Sequence, residues 1–392
     1  MRLPLIVASA AIAAFVVGCG GHKPDAPTGD SNPPAPVLGR PAQAKEAARD
    51  LGFPGFATKN TTRVGGADPV ADAAGVAQAV YPGAAEDSRP GVVTIVDAAD
   101  FQSAVSAAQL MAPPLRSPIL YSQDGDLPQA SQDALDAMHP AGAPDAGDAQ
   151  VIRVGDRAGK PEGLKSTDVA GTKAPAVAKA IDRLASAAAG AQSQAVIVAG
   201  SEDPAYAMPA AGLAAKTGAP VLWTDKDKVP GATREAIASR KKPRIYVIGP
   251  TKVVSDKAFK ALEKLGPAER ISGGDPIENA IAVARYADGP FGWNVVDPGH
   301  GLVFAAADRP GEAAAAVALS GTGTYGPLLL VDDPDTLPDA LESYLLDIQP
   351  GYDKDPVRGV YNHAWLLGDE DAIGVPVQAR IDSLLEIQPV TG

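Results

Sequence analysis

Two stretches set an arginine and an aspartate five residues apart around glycine: Arg63-Val64-Gly65-Gly66-Ala67-Asp68-Pro69 and Arg270-Ile271-Ser272-Gly273-Gly274-Asp275-Pro276. A guanidinium and a carboxylate so placed could grip a polar ligand. They could equally pair with each other and fix a strand-to-helix turn, with Gly66 and Gly273 permitting tight backbone geometry. Asp-Pro is also the pattern of an N-cap followed by proline at the first helical position. A second concentration of charge runs from Lys216 to Arg270, where 13 Lys/Arg (Arg240-Lys241-Lys242 and Arg244 among them) face 6 Asp/Glu in a chain of net charge -13. A basic stretch in an acidic protein suits a phosphorylated or carboxylated polymer, or is an ordinary solvated face. The candidate ligand-binding residues are therefore Arg63, Asp68, Arg240, Lys241, Lys242, Arg270 and Asp275.

Other reactive residue types carry less. His139, His300 and His363 have no nearby His or Glu at metal spacing, and no Gly-x-Ser-x-Gly elbow occurs. Asp332-Asp333-Pro334-Asp335 and Asp369-Glu370-Asp371 could bind calcium, but they follow strands and precede helices, where capping and solvation account for them. Gly200-Ser201 and Gly249-Pro250-Thr251 could aim helix N-termini at phosphates. The sequence holds no P-loop motif, so no nucleotide is expected. We expect no catalytic centre, metal or cofactor, and the negative charge argues against nucleic acid as partner.

The one cysteine is Cys19, behind a basic start and an apolar, Ala-rich run from Leu3 to Val17. Val16-Val17-Gly18-Cys19 has the form of a bacterial lipobox, so residues 1–18 read as a signal peptide and Cys19 as the lipidated N-terminus of the mature protein. From Cys19 to residue 56 runs a tether, rich in Gly, Pro, Asp, Ser and Asn up to about Gln43, with too little apolar surface to fold.

Positioning such residues requires regular elements, and these recur. Short β-branched runs alternate with helix-length segments: Val92–Val96, Pro118–Tyr121 and Val151–Gly155; then Val196–Ala199, Pro220–Trp223 and Ile245–Gly249; then Leu302–Ala305, Pro327–Leu330 and Trp365–Gly368. This grammar predicts parallel strands covered by helices. The fold class is α/β: three tandem small doubly wound (Rossmann-like) units with mostly parallel sheets, at 57–160, 161–266 and 267–392. A signature opens the first and third; that of the second has decayed to Thr167-Asp168.

These residues resemble the bacterial cell wall-binding repeat 2 family. Gly218-Ala219-Pro220-Val221-Leu222, Ile245-Tyr246-Val247-Ile248-Gly249 and Arg270 through Asp275 carry the resemblance most closely. It spans about Thr61 to Leu385. Three such units are implied to pack as a pseudo-threefold assembly that binds anionic secondary cell-wall polymer, or peptidoglycan-linked glycan, between copies. The chain departs from the family where its helix-start aspartate is replaced by Ser103, Tyr206 and Glu312, and where proline (Pro69, Pro276) follows the signature aspartate. The expectation is a non-catalytic, wall-associated protein on the extracytoplasmic face of the membrane, held there by lipid. The alternative is a solute- or signal-binding lipoprotein with its ligand in an interdomain crevice.

Overall fold

Runs such as Ala195–Gly200 and Leu328–Val331 are too short for helices and almost wholly buried, which suits strands covered on both faces. The computed structural model describes residues 56–322 and 325–390. The expected signal peptide, Cys19 and all but the last residue of the tether lie outside the described residues. The described chain forms three main sheets of parallel strands, with a short antiparallel strand, Phe56–Ala57, added at the edge of the third, and two small two-stranded sheets beside them. The first holds Val93–Asp97, Ile119–Ser122, Val151–Val154 and Ser166–Val169; the second Ala195–Gly200, Val221–Thr224, Arg244–Ile248 and Ala268–Ile271. The third holds Gly301–Ala306, Leu328–Val331, His363–Leu367 and, from the other end of the chain, Thr61–Val64. Each main sheet runs in one order: second strand, first, third, fourth.

The fourth strand is always the signature strand, and here the sheets divide the chain differently from the repeats. The expected boundaries open each unit with its own signature. Instead Ser166–Val169 pairs with Val151–Val154, Ala268–Ile271 with Arg244–Ile248, and Thr61–Val64 with His363–Leu367. A strand's backbone N–H and C=O groups need a ladder, and the parallel edge of the preceding sheet supplies it. The helix after each signature crosses to the next sheet. Pro69–Val80 packs on Ile119–Ser122, Ala174–Ala188 on Val221–Thr224, and Pro276–Arg285 on Leu328–Val331. Every signature thus staples two units, and the staple at Thr61–Val80 closes a ring of three.

At the centre of the ring, helices Pro209–Thr217 and Val317–Gly321 meet the 3-10 turn Ala108–Met111. Small residues let these backbones approach: a Cβ on Gly212 would lie 2.9 Å from Ser320 Oγ, and one on Gly321 2.6 Å from Met111 Cγ. The alanine-rich composition is therefore a packing requirement of the axis.

Candidate ligand-binding seam

The signature arginines are clamps, Arg63 buried and Arg270 partly buried. Arg63, on the closing strand, donates from Nη1 to the carbonyls of Gly368 (3.0 Å) and Asp369 (2.7 Å) and from Nη2 to Ile373 O (2.5 Å) and Gln378 Oε1 (2.8 Å). Arg270 does the same in the second sheet, reaching Gly249 O (2.7 Å) and Val254 O (2.9 Å). In the first sheet the equivalent edge residue is Asp168, and Arg153 on the neighbouring strand supplies the guanidinium. It binds Ala158 O (2.6 Å), Gly159 O (3.1 Å) and Asp168 Oδ1 (3.0 Å). In each unit an arginine therefore ties down the loop after the third strand, which leaves through a left-handed glycine (Gly155, Gly249, Gly368). Burial lowers the pKa of both Arg63 and Arg270. Neither guanidinium pairs with its signature aspartate. Asp68 instead accepts from the amides of Val70 and Ala71, and Asp275 from that of Glu278. They are N-caps. The decayed signature has lost this: Lys173 precedes its helix and makes no side-chain cap.

The basic triplet splits by role. Arg240 is buried, with Nη2 2.5 Å from Asp182 Oδ1, Nη1 on Ala236 O and Nε on Ser193 O (2.8 Å). Lys241 and Lys242 are exposed, in the turn leading to strand Arg244–Ile248. Lys242 takes a left-handed backbone (φ 53°), uncommon for a residue with a Cβ. The remaining basic residues do not form one face. Lys226, Lys228 and Lys252 follow strands, while Lys241, Lys242, Arg244 and Lys264 precede or begin them, so in a parallel sheet the two groups sit at opposite ends. At the carboxyl end, Glu202, Asp203, Asp225 and Asp227 offset the lysines.

Beside the lysine turn lies a cavity of about 260 Å³ at the seam of the first and second units. The loop Ala112–Leu115 forms one wall; Ser186, Gln192, Ser193, Thr217 and Gly218 form the other, with Gln109 between them. Gln109 Nε2 donates to Gly218 O (3.0 Å) and Asp182 Oδ1 (3.4 Å), and Gln192 Nε2 to Ser239 Oγ (3.1 Å). The buried Arg240–Asp182 pair therefore anchors the cavity wall and the lysine turn together. No charged side chain lines the cavity; amides, hydroxyls and small apolar surfaces do. Its volume falls just below the range of drug-sized pockets and is of the order of one sugar residue. Sequence reading missed Gln109, Asp182 and Ser193, because single polar residues in Ala-rich segments carry no pattern; a buried partner for Arg240 emerges only on folding.

The class of the second unit follows from comparison. Residues 178–259, which contain most of this cavity's wall and the lysine turn, match the family model of cell wall binding domain 2 (CWB2). The resemblance read from Gly218–Leu222 and Ile245–Gly249 falls inside that segment. Among solved structures, the chain is similar to Cwp6 from Clostridium difficile (17% identity, TM-score 0.67, covering 83% of this chain and 48% of that one). It is also similar to Cwp8 from Clostridium difficile (15% identity, TM-score 0.63, covering 84% and 52%). At these identities the likeness is one of fold: three mostly parallel α/β units. The chain spans about half the length of the solved structures it matches. No curated protein matches it.

Proposed function

We propose that this is a non-catalytic envelope protein that binds an anionic cell-wall polymer at the seam of its first and second units. A sugar residue would occupy the cavity beside Gln109, and the adjoining phosphate or carboxylate would meet Lys241 and Lys242. One observation carries the reading: the segment matching cell wall binding domain 2 holds a neutral, sugar-sized cavity wall joined through Arg240 and Ser193 to two exposed ammonium groups. Arg63, Arg270, Asp68 and Asp275 support the ring and act on the polymer only by holding the units in place.

The test is cosedimentation of residues 42–392, a compact unit by themselves, with purified cell walls. Binding should weaken as salt rises and vanish after acid stripping of anionic polymer. The double reversal K241E/K242E should weaken it at least tenfold and flatten its salt dependence, as expected when two attractive charges become repulsive. Unchanged binding by that variant would remove the lysines from the site.

We further propose that Cys19 carries lipid that holds the protein on the outer face of the membrane. C19S should move the protein from the membrane fraction to the soluble fraction or the wall. Retention in the membrane fraction after detergent-free washing of stripped envelopes would contradict the anchor.

A further inference from the structure

The three seams share one geometry but not one chemistry. At each, the first helix of a unit packs on the staple helix leaving that unit, and the corresponding positions are Ser103 and Val177, Tyr206 and Asn279, and Glu312 and Asp72. At the first seam those two positions are uncharged. At the second, Asn279 Nδ2 donates to Tyr206 O (3.1 Å) and Tyr206 Oη to Gly274 O (3.0 Å). Only the seam that closes the ring sets two carboxyl groups there, and both are fully buried.

Half of each carboxyl is satisfied. Asp72 Oδ1 accepts from the amide of Gly66 (2.7 Å), and Glu312 Oε2 from that of Ala306 (2.9 Å). Asp72 Oδ2 and Glu312 Oε1 have no hydrogen-bond partner. Arg309 is the closest cation, with Nη1 3.8 Å from Glu312 Oε1 but also 3.5 Å from Asp369 Oδ1. Arg63 lies nearby with its donors spent on carbonyls and Gln378. The other groups facing the pair are acidic or neutral: Asp68 at the cap, Asp308 before Glu312, Asp369 and Glu370 after the third strand, and Tyr121 from the first sheet. Helices Phe101–Ala107 and Val317–Gly321 bring no charge, and Gln129–Met138 brings only exposed Asp133 and Asp136, bound to Gln129 and Gln132.

We propose that Asp72 and Glu312 are a proton-controlled latch on the closing seam: protonated, they let the staple helix Pro69–Val80 seat against Gly311–Ala315, and ionised, they loosen it. Two buried carboxylates with free oxygens and one shared arginine cannot both stay charged without cost, whereas each proton removes a charge and supplies a donor. Burial raises both, Glu312 to about 7 and Asp72 well above the ordinary range; repulsion from Glu312 adds at Asp72, and repulsion from Asp308 and Asp369 adds at Glu312. The folded state therefore binds more protons than the unfolded chain. The latch contributes fully below the unfolded carboxyl range and is lost as pH rises through the folded values, here from about 4.5 to 7 and beyond.

The experiment is thermal unfolding and amide exchange of the full chain between pH 5 and pH 8. The wild type should lose roughly 2–4 °C or more across that span. Exchange in Thr61–Val80 should quicken beyond the intrinsic pH trend, while Ser166–Ala188 and Ala268–Arg285 follow that trend. E312Q, the neutral stand-in, should fold and flatten both responses; D72N gives the same reading from the other side. An unchanged pH response in both variants overturns the latch. So does a failure of both to fold at pH 5, where the wild type is itself neutral at the pair.

Discussion

R240A should be among the most damaging single substitutions in the protein, lowering stability by about 3–5 kcal/mol. The truncation removes the partner of Asp182 at 2.5 Å and leaves a carboxylate buried between units with only the Gln109 amide and Ser186 hydroxyl near it. It also frees Ser193 O and Ala236 O. Chemical denaturation reads the loss directly. The pairing logic gives an internal control: R240M/D182L, which removes both charges and keeps apolar volume, should recover most of the lost stability, because a buried pair contributes little beyond an apolar substitute. If R240A costs less than about 1 kcal/mol, water reaches Asp182 and the seam is wetter than its geometry implies. The same substitution should weaken wall binding in step with K241E/K242E, since Arg240 fixes the lysine turn to the cavity wall.

The second large effect belongs to Arg63. R63A removes four hydrogen bonds that hold the loop 368–373 and Gln378 to the closing strand; it leaves Gly368 O, Ile373 O and Gln378 Oε1 without that donor, while Asp369 O keeps the amides of Ala372 and Ile373. At about 1 kcal/mol or more for each stranded group, the expected loss is roughly 3–4 kcal/mol. R63K should rescue little, because one ammonium cannot span Gly368, Asp369, Ile373 and Gln378 as the planar fork does. The corresponding change R270A should cost less: Arg270 is only partly buried and makes two carbonyl bonds. Equal losses at the two sites would mean that the clamp in the third sheet has no special share in closing the ring.

Much of this architecture was legible before folding was considered. The strands of all three units were readable because buried parallel strands are short, unbroken and β-branched, as at Val221–Thr224 and Arg244–Ile248. The N-caps Asp68 and Asp275 were readable because capping is local chemistry. The allegiance of the signature strands was not. Nothing between Ala268 and Ile271 states which edge it will join, since pairing is decided by a strand distant in sequence. The basic stretch was misleading for a similar reason: a run of charge in sequence is cut in two when consecutive loops emerge at opposite ends of a sheet. Arg240 and Lys241, adjacent in the chain, ended in the interior and in solvent. The strand Ser166–Val169 was obscured because Asp168 stands where the other signatures carry arginine, with the guanidinium moved to Arg153.

The pairing of Thr61–Val64 with His363–Leu367 also sets a timetable. As the chain is synthesised or threaded across a membrane from its N-terminus, this strand emerges some three hundred residues ahead of its partner. The first and second sheets can assemble as their strands arrive, because every partner lies close behind. The third must wait for both extremities, and until then the helix Pro69–Val80 has a strand hanging from it with no ladder to join. Closing so long a loop adds only modestly to the entropic cost, which grows with the logarithm of length, but it places the ring's completion last in time. Until its C-terminal partner arrives, Thr61–Val64 is therefore the strand edge left open, and a component that guards unpaired edges of a nascent chain would find it there.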